Sequence, residues 1–293
     1  MKTAGHVSRL SRRNFLWSGT VGFSTGPHAL AGGVGAAVRS VQVPDKLVVL
    51  TFDDAVKSHR VIVAPLLKDL GFGATFFITH RWMTDRQNFM NWQDVKEIYE
   101  MGFEIGNHSW THDGFSIPRN ADRLAGELAL IEFELKRVGI PKPISFAYCG
   151  NAFGPEAVKI VREQGYKLAR RGITPEAEYE FGTDHLGMAF QPGHHHPLLI
   201  PSAGIPDPCW TLEQFQRAAA LATNGRIVVF QFHGVPDRAH PWVNTRPERF
   251  EEFMRYLHEH GCKVIAMREV AHYVDVQQVP NDPLAIIEKR KKR

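Results

Sequence analysis

The sequence predicts an α/β fold, specifically a distorted (β/α) barrel of about seven parallel strands. Three observations support this prediction: short apolar runs alternate with amphipathic stretches, several of these stretches end at a glycine, and the connections are short. The chain has 293 residues, of which 43% are hydrophobic. This length suits one barrel of about 200 to 250 residues with additional segments at its ends.

The first half of the predicted barrel begins with a β-branched apolar run that ends in two aspartates, as a buried strand does when its carboxyl end reaches a surface. Amphipathic helices and further apolar runs then alternate along the chain. The predicted strands of this half are 46–51, 74–78, 103–106 and 144–148, and the predicted helices are 61–70, 92–101 and 121–138.

The second half continues the same alternation after helix 155–164 and a short strand at 166–169. A loop-rich insertion covers about 174–208. The pattern resumes with helices 212–222 and 247–260 and strands 227–232 and 263–266. The resulting domain prediction is a signal peptide at 1–31, a linker at 32–45, the barrel at 46–275 and a basic tail at 276–293.

The net charge of +4 is concentrated at the two ends of the chain. Residues 1–31 contain four basic and no acidic side chains, and five of the last six residues are basic, so the body between them is acidic. An acidic body gives no electrostatic footprint for a phosphate backbone, and we expect no nucleic-acid partner. The sequence also lacks the glycine-rich loops that bind nucleotides. Its three cysteines fit neither a zinc knuckle nor a disulfide framework.

The N-terminal segment resembles a twin-arginine signal, because Arg12-Arg13 precedes a weakly apolar, glycine-rich stretch. Ala29-Leu30-Ala31 is a suitable cleavage site, and Ala36-Ala37 is a second one. We therefore expect export to the periplasm or the outside of the cell. The alternative is a disordered basic terminus. The stretch is too polar for a transmembrane span, and no later segment qualifies. The sequence does not indicate an oligomeric state.

Candidate chemical groups follow four of the predicted strands, whose carboxyl ends meet at one face of a parallel barrel. They are Asp53-Asp54, His108 with His112, the loop 149–151 and His233. The spacing of His108 and His112 is one helical turn, so both imidazoles could face one metal ion. With Asp54 as third ligand, such a site leaves a coordination position for water. Each group alone also has a structural interpretation, such as a helix cap for the aspartates.

Four segments resemble successive motifs of the polysaccharide deacetylases, the NodB-homology group or carbohydrate esterase family 4. They are Thr51–Asp54 (TFDD), Asn107–His112 (NHSWTH), Phe146–Asn151 (FAYCGN) and Val228–His233 (VVFQFH). The resemblance covers about residues 46–273, nearly the whole predicted barrel. It implies a NodB-type barrel that removes acetyl groups from N-acetylated sugars of a glycan such as peptidoglycan or a chitin-like polymer.

The resemblance also implies a role for each matching residue. Asp53 is the catalytic base and His233 the general acid. Asp54, His108 and His112 are the ligands of a divalent metal, most often Zn²⁺, which activates water. The third-motif loop, with Gly150 and Tyr148, contributes to oxyanion and substrate binding.

The sequence departs from the family pattern in the third motif. Ala147 stands where the family has an arginine that pairs with the catalytic aspartate, and Arg170 or Arg171 could supply this charge. Cys149 replaces a proline and is either part of the site wall or a soft metal ligand. The fourth motif is not evident. Its region offers Asp184, His185 and His194–His196 instead, to which we assign no catalytic role.

Two other functions remain open at this stage. The same metal site could serve an O-acetyl esterase or an amidohydrolase of small molecules. Because of Ala147 and Cys149, a non-catalytic glycan-binding protein on a decayed enzyme fold is the second alternative.

Overall fold

The computed structural model of the chain describes residues 41–174, 186–275 and 277–287. The predicted signal peptide, Asp184, His185 and the basic end of the predicted tail lie outside these ranges. No helix within the described ranges is long and apolar enough to cross a membrane.

A curled parallel sheet forms the centre of the fold, and six α-helices of the described residues accompany it. The strands are β1 Leu47–Phe52, β2 Thr75–Ile78, β3 Glu104–Asn107, β4 Ser145–Ala147, β5 Leu168–Gly172, β6 Ile200–Pro201, β7 Val228–Phe232 and β8 Lys263–Ile265. The helices are α1 Ala64–Asp69, α2 Trp92–Glu100, α3 Pro118–Arg137, α4 Pro155–Glu163, α5 Leu212–Ala219 and α6 Pro247–Glu259.

The strand order is β6-β5-β4-β3-β2-β1-β7, and every strand pairs in parallel with its neighbours. β1 pairs with β7 along Val48–Phe52; its other edge pairs first with β8 and then with β2. Beyond β6, Ala203 N donates to Val229 O and Gln231 N donates to Gly204 O, so the chain after β6 reaches β7. The prediction of a distorted barrel of about seven parallel strands is confirmed.

Aromatic side chains fill much of the layer between the sheet and its helices. The Phe215 ring on α5 stacks between Phe230 on β7 and Phe253 on α6, with centroid distances of 4.3 Å to each. Phe52 on β1 stacks between Phe76 and Phe232 of the two neighbouring strands. Each of these rings is fully buried. Burial of large aromatic side chains on both sides of β1 therefore anchors the strand that ends in the two aspartates.

Three elements differ from the sequence prediction. A turn of π-helix at His59–Val63 precedes α1, where the pattern predicts one continuous helix. β5 extends to Gly172 rather than ending at residue 169, because Arg170 and Arg171 are buried strand residues although they are charged. The predicted insertion contains the short strand β6, which the sequence pattern conceals because one of its two residues is a proline, Pro201.

Candidate active site

The carboxyl ends of β1, β3 and β7 and the loop after β4 surround one cleft of about 310 Å³. Six of the predicted site residues line it: Asp53, Asp54, His108, His112, Gly150 and His233. They come together because the strands are parallel, so the residue after each strand lies at the same end of the sheet.

Asp54 lies at a sharp turn after β1, where Asp54 and Ala55 both have left-handed backbone conformations, with φ of 74° and 56°. Residues other than glycine rarely adopt this backbone conformation. Asp54 Oδ1 lies 3.6 Å from His108 Nε2 and 3.2 Å from His112 Nε2. The turn thus places one carboxylate oxygen between two imidazole nitrogens.

His108 and His112 belong to a loop, which corrects the expectation that their spacing reflects a helical turn. Ser109 and His112 have φ of 58°, and side chains stabilise the turn. Asn107 Oδ1 accepts a hydrogen bond from Ser109 N at 2.9 Å, and Ser109 Oγ accepts one from His112 N at 3.1 Å. Sequence spacing alone could not reveal this conformation, because the side-chain caps compete with helical hydrogen bonds.

A buried hydrogen bond fixes the orientation of the His108 ring. Its Nδ1 lies 2.8 Å from Ala147 O, and since a carbonyl only accepts, Nδ1 carries the proton. The lone pair on Nε2 is therefore directed toward Asp54. Burial lowers the pKa of His108 to about 4, which favours the neutral imidazole that binds metals.

The set Asp54, His108 and His112 has the donor chemistry for a divalent metal ion. Asp54 Oδ1 is buried and makes no hydrogen bond within the described ranges, although both Nε2 atoms face it. Burial would raise the pKa of Asp54, but its contact with His112 and the charges of the surrounding histidines outweigh burial and lower it. Two imidazoles and a carboxylate are the ligand types of hydrolytic zinc sites.

Cys149 is the other residue that could join the two histidines at a metal ion. Ligand atoms of Cys149, His108 and His112 lie within 4.8 Å of one another. However, Cys149 Sγ is 3.1 Å from His108 O and 3.3 Å from Ser109 Oγ, on the Nδ1 side of the His108 ring. Burial raises the pKa of this thiol, whereas metals bind the thiolate. The geometry therefore favours Asp54 as the third ligand and gives Cys149 a packing position.

Asp53 forms a buried ion pair with Arg170. Arg170 Nη2 lies 2.5 Å from Asp53 Oδ2, and both side chains are almost fully inaccessible to solvent. Arg171 is directed elsewhere, since its Nε donates to Leu199 O and its Nη1 donates to Thr174 O. Of the two candidates from the sequence, the structure thus places Arg170 against Asp53.

His233 follows β7 and faces the other carboxylate oxygen of Asp54 from the one that His108 and His112 face. Its Nε2 is 3.9 Å from Asp54 Oδ2. Its carbonyl accepts a hydrogen bond from the buried His59 Nε2 at 3.0 Å. His233 Nδ1 is buried and has no hydrogen-bond partner among the residues that the structure describes.

Gly150 and Tyr148 take different positions. Gly150 lines the cleft with φ of 56°, and a Cβ at this residue would meet open space. Tyr148 packs in the core, where its hydroxyl donates to Leu198 O and its N–H donates to Arg170 O. The expectation that Tyr148 contributes to substrate binding is therefore corrected, because both of its donors are used inside the fold.

Sequence reasoning missed His240, which lines the cleft beside Asp54. Its Nδ1 is 3.4 Å from Asp237 Oδ2 and 3.9 Å from Asp54 Oδ2, and the interaction with Asp237 raises the pKa of His240. The rings of Trp82, at 4.6 Å, and Trp242, at 5.4 Å, flank it. In the sequence, His240 is marked only by its spacing of three residues from Asp237. Both residues lie in the long loop after β7, which has no hydrophobic periodicity from which the position of His240 could be predicted.

The histidine run His194–His196 does not line this cleft. His194 is exposed, whereas His195 and His196 are buried. His196 Nδ1 accepts a hydrogen bond from Leu198 N, and Arg162 lies 3.2 Å from its Nε2. The buried part of the run therefore stabilises the chain before β6.

Comparisons with known proteins show which family and which fold the chain is similar to. Residues 40–169 match the family model described as polysaccharide deacetylase, and the resemblance noted in the sequence motifs is confirmed. A 94-residue stretch is 30% identical to poly-β-1,6-N-acetyl-D-glucosamine N-deacetylase of Escherichia coli K12; it covers 27% of this chain and only 14% of that protein.

Solved structures share the fold at low sequence identity. A family 4 acetyl xylan esterase from Clostridium thermocellum, solved with a cobalt ion, superimposes with a TM-score of 0.52 at 20% identity, covering 82% of this chain and 95% of the esterase. A CE4 family pseudoenzyme from Bacillus anthracis superimposes with a TM-score of 0.52 at 22% identity, covering 80% of this chain and 68% of the pseudoenzyme chain. These similarities establish the fold.

Proposed function

We propose that this protein is a metal-dependent hydrolase that removes acetyl groups from N-acetylated sugars of a polysaccharide. One observation carries the proposal. The three candidate metal ligands, Asp54, His108 and His112, lie in the same cleft as Asp53, whose carboxylate pairs with the buried Arg170. The match to a family of polysaccharide deacetylases supports the reaction class. The similarity to an N-deacetylase of a β-1,6-linked N-acetylglucosamine polymer supports an amino-sugar glycan as substrate.

Asp54, His108 and His112 would hold the metal, for which Zn²⁺ is our proposal. When bound, a divalent ion supplies Lewis-acid activation of water and of the acyl oxygen. His108 is prepared for this role because its bond to Ala147 O leaves Nε2 unprotonated.

Asp53 is the proposed base. Its Oδ2 is occupied by Arg170, whereas its Oδ1 is buried and has no hydrogen-bond partner within the described residues. Oδ1 is therefore the oxygen available to accept a proton from the attacking water. The guanidinium of Arg170 places a buried positive charge beside this carboxylate.

His233 is the proposed general acid, since its Nε2 borders the same cleft on the opposite side of Asp54 from His112. A proton donated from this nitrogen to the departing amine would complete amide cleavage, because an unprotonated amine is a poor leaving group. Gly150 is the proposed backbone donor to the tetrahedral oxyanion, since no side chain separates its backbone from the cleft.

The test is acetate release from N-acetylglucosamine oligomers, including the β-1,6-linked polymer, and from peptidoglycan, with protein depleted of metal and then supplied with Zn²⁺. We expect zinc-dependent release that His112→Ala abolishes together with zinc binding. His194→Ala is the matched control and should retain both, because His194 is exposed and outside the cleft.

The same assay separates the remaining alternatives. Acetate release from O-acetylated but not N-acetylated sugars would establish an esterase. Stoichiometric zinc without acetate from either substrate would direct the search to small amides. Failure to bind zinc would overturn the enzyme proposal and favour a glycan-binding protein. Against that last alternative, Arg170 supplies the positive charge that Ala147 cannot.

We also propose export, which is supported by the Arg12-Arg13 motif alone. The test is the location of the full chain in a bacterium with and without a functional twin-arginine pathway. Replacing both arginines by lysine should retain the protein in the cytoplasm, and unchanged export of that variant would contradict the proposal.

A further inference from the structure

A second N–H group contacts the proposed base from another strand. Gln231 Nε2 lies 3.2 Å from Asp53 Oδ2, the same oxygen that accepts from Arg170 Nη2 at 2.5 Å. Gln231 belongs to β7 and Arg170 to β5, and only 4% of the Gln231 surface is exposed. Two donors from two different strands therefore converge on one oxygen atom.

The sequence of β7 makes Gln231 conspicuous. The strand reads VVFQF, and its other four residues are fully buried apolar side chains. A buried amide without hydrogen bonds is costly, so a core position favours an apolar residue unless the amide has partners. Gln231 has such a partner in Asp53, and its own Oε1 lies 3.5 Å from Ser202 Oγ. Because a carboxylate oxygen only accepts, the amide nitrogen must face Asp53.

Two donors on one oxygen determine the rotation of the carboxylate. If only Arg170 held Oδ2, the group could turn about its Cβ–Cγ bond while keeping one hydrogen bond. A second donor from a different direction removes that freedom. Because the amide is neutral, it fixes the carboxylate without adding a second charge to the site. The result is that Oδ1 has a defined position and no competing partner among the described residues.

We propose that Gln231 is a positioning residue for Asp53, which directs the free Oδ1 toward the reacting water. This inference depends on the proposed function, since it assigns Gln231 a role in the same reaction. Gln231 also borders the cleft, but only 4% of its surface is exposed and its amide nitrogen faces Asp53. Its removal should therefore reduce the rate of the chemical step and leave substrate binding nearly unchanged.

The test is Gln231→Met, which keeps the side-chain length and removes the donor. We expect kcat to fall about five- to tenfold, the effect of one hydrogen bond, with KM within about twofold of wild type. Zinc content and the melting temperature report on the fold. Gln216→Met makes the same chemical change on α5, outside the cleft, and should leave kcat unchanged. An unchanged kcat in Gln231→Met, or an effect confined to KM, would overturn the proposal.

A double-mutant cycle with Arg170→Met separates positioning from a general structural effect. If both residues act on Asp53 Oδ2, the loss of kcat in the double variant will be smaller than the product of the two single losses. Independent structural effects would multiply. Gln231→Glu provides a second variant of similar size that presents an acceptor to Asp53, and its kcat should fall further than that of Gln231→Met.

A measurement independent of activity distinguishes this inference from the proposed function. In crystal structures of the full chain, we expect the Asp53 carboxylate to have one orientation in wild type and a rotated or divided one in Gln231→Met. An unchanged carboxylate would refute the inference even if the enzyme is active. If wild type releases no acetate, the proposed function fails, and the carboxylate orientation still decides whether Gln231 positions Asp53.

Discussion

Asp53 and Arg170 illustrate how burial changes the value of an ion pair. Their atoms lie 2.5 Å apart with almost no solvent access, while Arg60 and Glu97 form a pair of the same length with about a third of each side chain exposed. Water screens the second pair and not the first, so the two pairs should respond differently to the loss of the arginine.

We expect Arg170→Met to lower kcat about a hundredfold and the free energy of unfolding by about 3 to 5 kcal/mol, because Asp53 is left as an unpaired buried charge. Arg60→Met should cost at most about 1 kcal/mol and leave kcat unchanged. Acetate-release kinetics and urea denaturation measure both effects. Equal losses of stability in the two variants would contradict the importance that we give to burial.

The choice between Arg170 and Arg171 shows what the sequence could not determine at the residue scale. Neighbouring strand residues point to opposite faces, so one of the two had to face the barrel interior. The register that decides between them depends on the pairing of β5 with β4, where Ala147 lies opposite Arg170. Arg170 on β5 therefore lies beside Ala147 on β4, the residue that stands where the family pattern has an arginine. Only the three-dimensional pairing of the two strands reveals this.

At the scale of elements, the loop after β7 brings His240 to the cleft. Asp237 organises this loop: its Oδ1 accepts from Ala239 N at 3.1 Å and from His240 N at 2.8 Å, and its own N–H donates to Asn244 Oδ1. Its other oxygen faces the His240 ring. One buried carboxylate therefore determines both the backbone of the loop and the position of an imidazole in the cleft.

Asp237→Ala should lower the melting temperature and reduce kcat/KM about tenfold, because it removes two backbone hydrogen bonds together with the partner of His240. Asp237→Asn retains an oxygen acceptor for the backbone and should stay closer to wild type in stability. Thermal unfolding and steady-state kinetics of both variants provide the comparison. Equal stability of the Ala and Asn variants would show that the loop does not depend on these bonds.

Helix α2 begins at Trp92, where the sequence pattern predicts it to begin, and a capping box at Asn91 precedes it. Asn91 Oδ1 accepts from Gln93 N and Asp94 N, and Asp94 Oδ2 accepts from Asn91 N. We expect Asn91→Ala to lower the free energy of unfolding by about 1 kcal/mol, and Asn91→Ser to restore most of it. Urea denaturation measures the difference. The same loss in both variants would indicate that packing, and not the cap, sets the stability of this end.

At the scale of the whole molecule, the order of strands and helices could be predicted because each parallel unit repeats the same local pattern. The site residues could be placed in one cleft for the same reason, since they follow strands whose carboxyl ends meet. His240 and Gln231 could not be placed, because one depends on the conformation of a long loop and the other on which face of β7 points inward. Local periodicity specifies the scaffold, whereas register and loop geometry specify the contacts at the site.

The pH dependence of stability is a property of the whole molecule to which His59 contributes. Its ring is fully buried near Phe52 and Phe76, and its Nδ1 has no hydrogen-bond partner in the part of the chain that the structure describes. Burial lowers the pKa of His59 to about 4, from the ordinary value of 6.5. Between these values the unfolded chain binds the proton and the folded protein does not. The contribution of the neutral His59 to the free energy of unfolding is therefore fully present above pH 6.5 and is lost as the pH falls toward 4.

His59→Phe should reveal this contribution, because phenylalanine suits the aromatic surroundings and does not titrate. At pH 7 the variant should be about 1 kcal/mol less stable, since His233 O loses its donor. From pH 7 to pH 5 wild type should lose about 2 kcal/mol relative to the variant, so their order of stability reverses. Urea denaturation at pH 7, 6 and 5 measures this, and the other histidines are common to both proteins. A constant difference across these pH values would mean that His59 keeps its ordinary pKa in the folded protein.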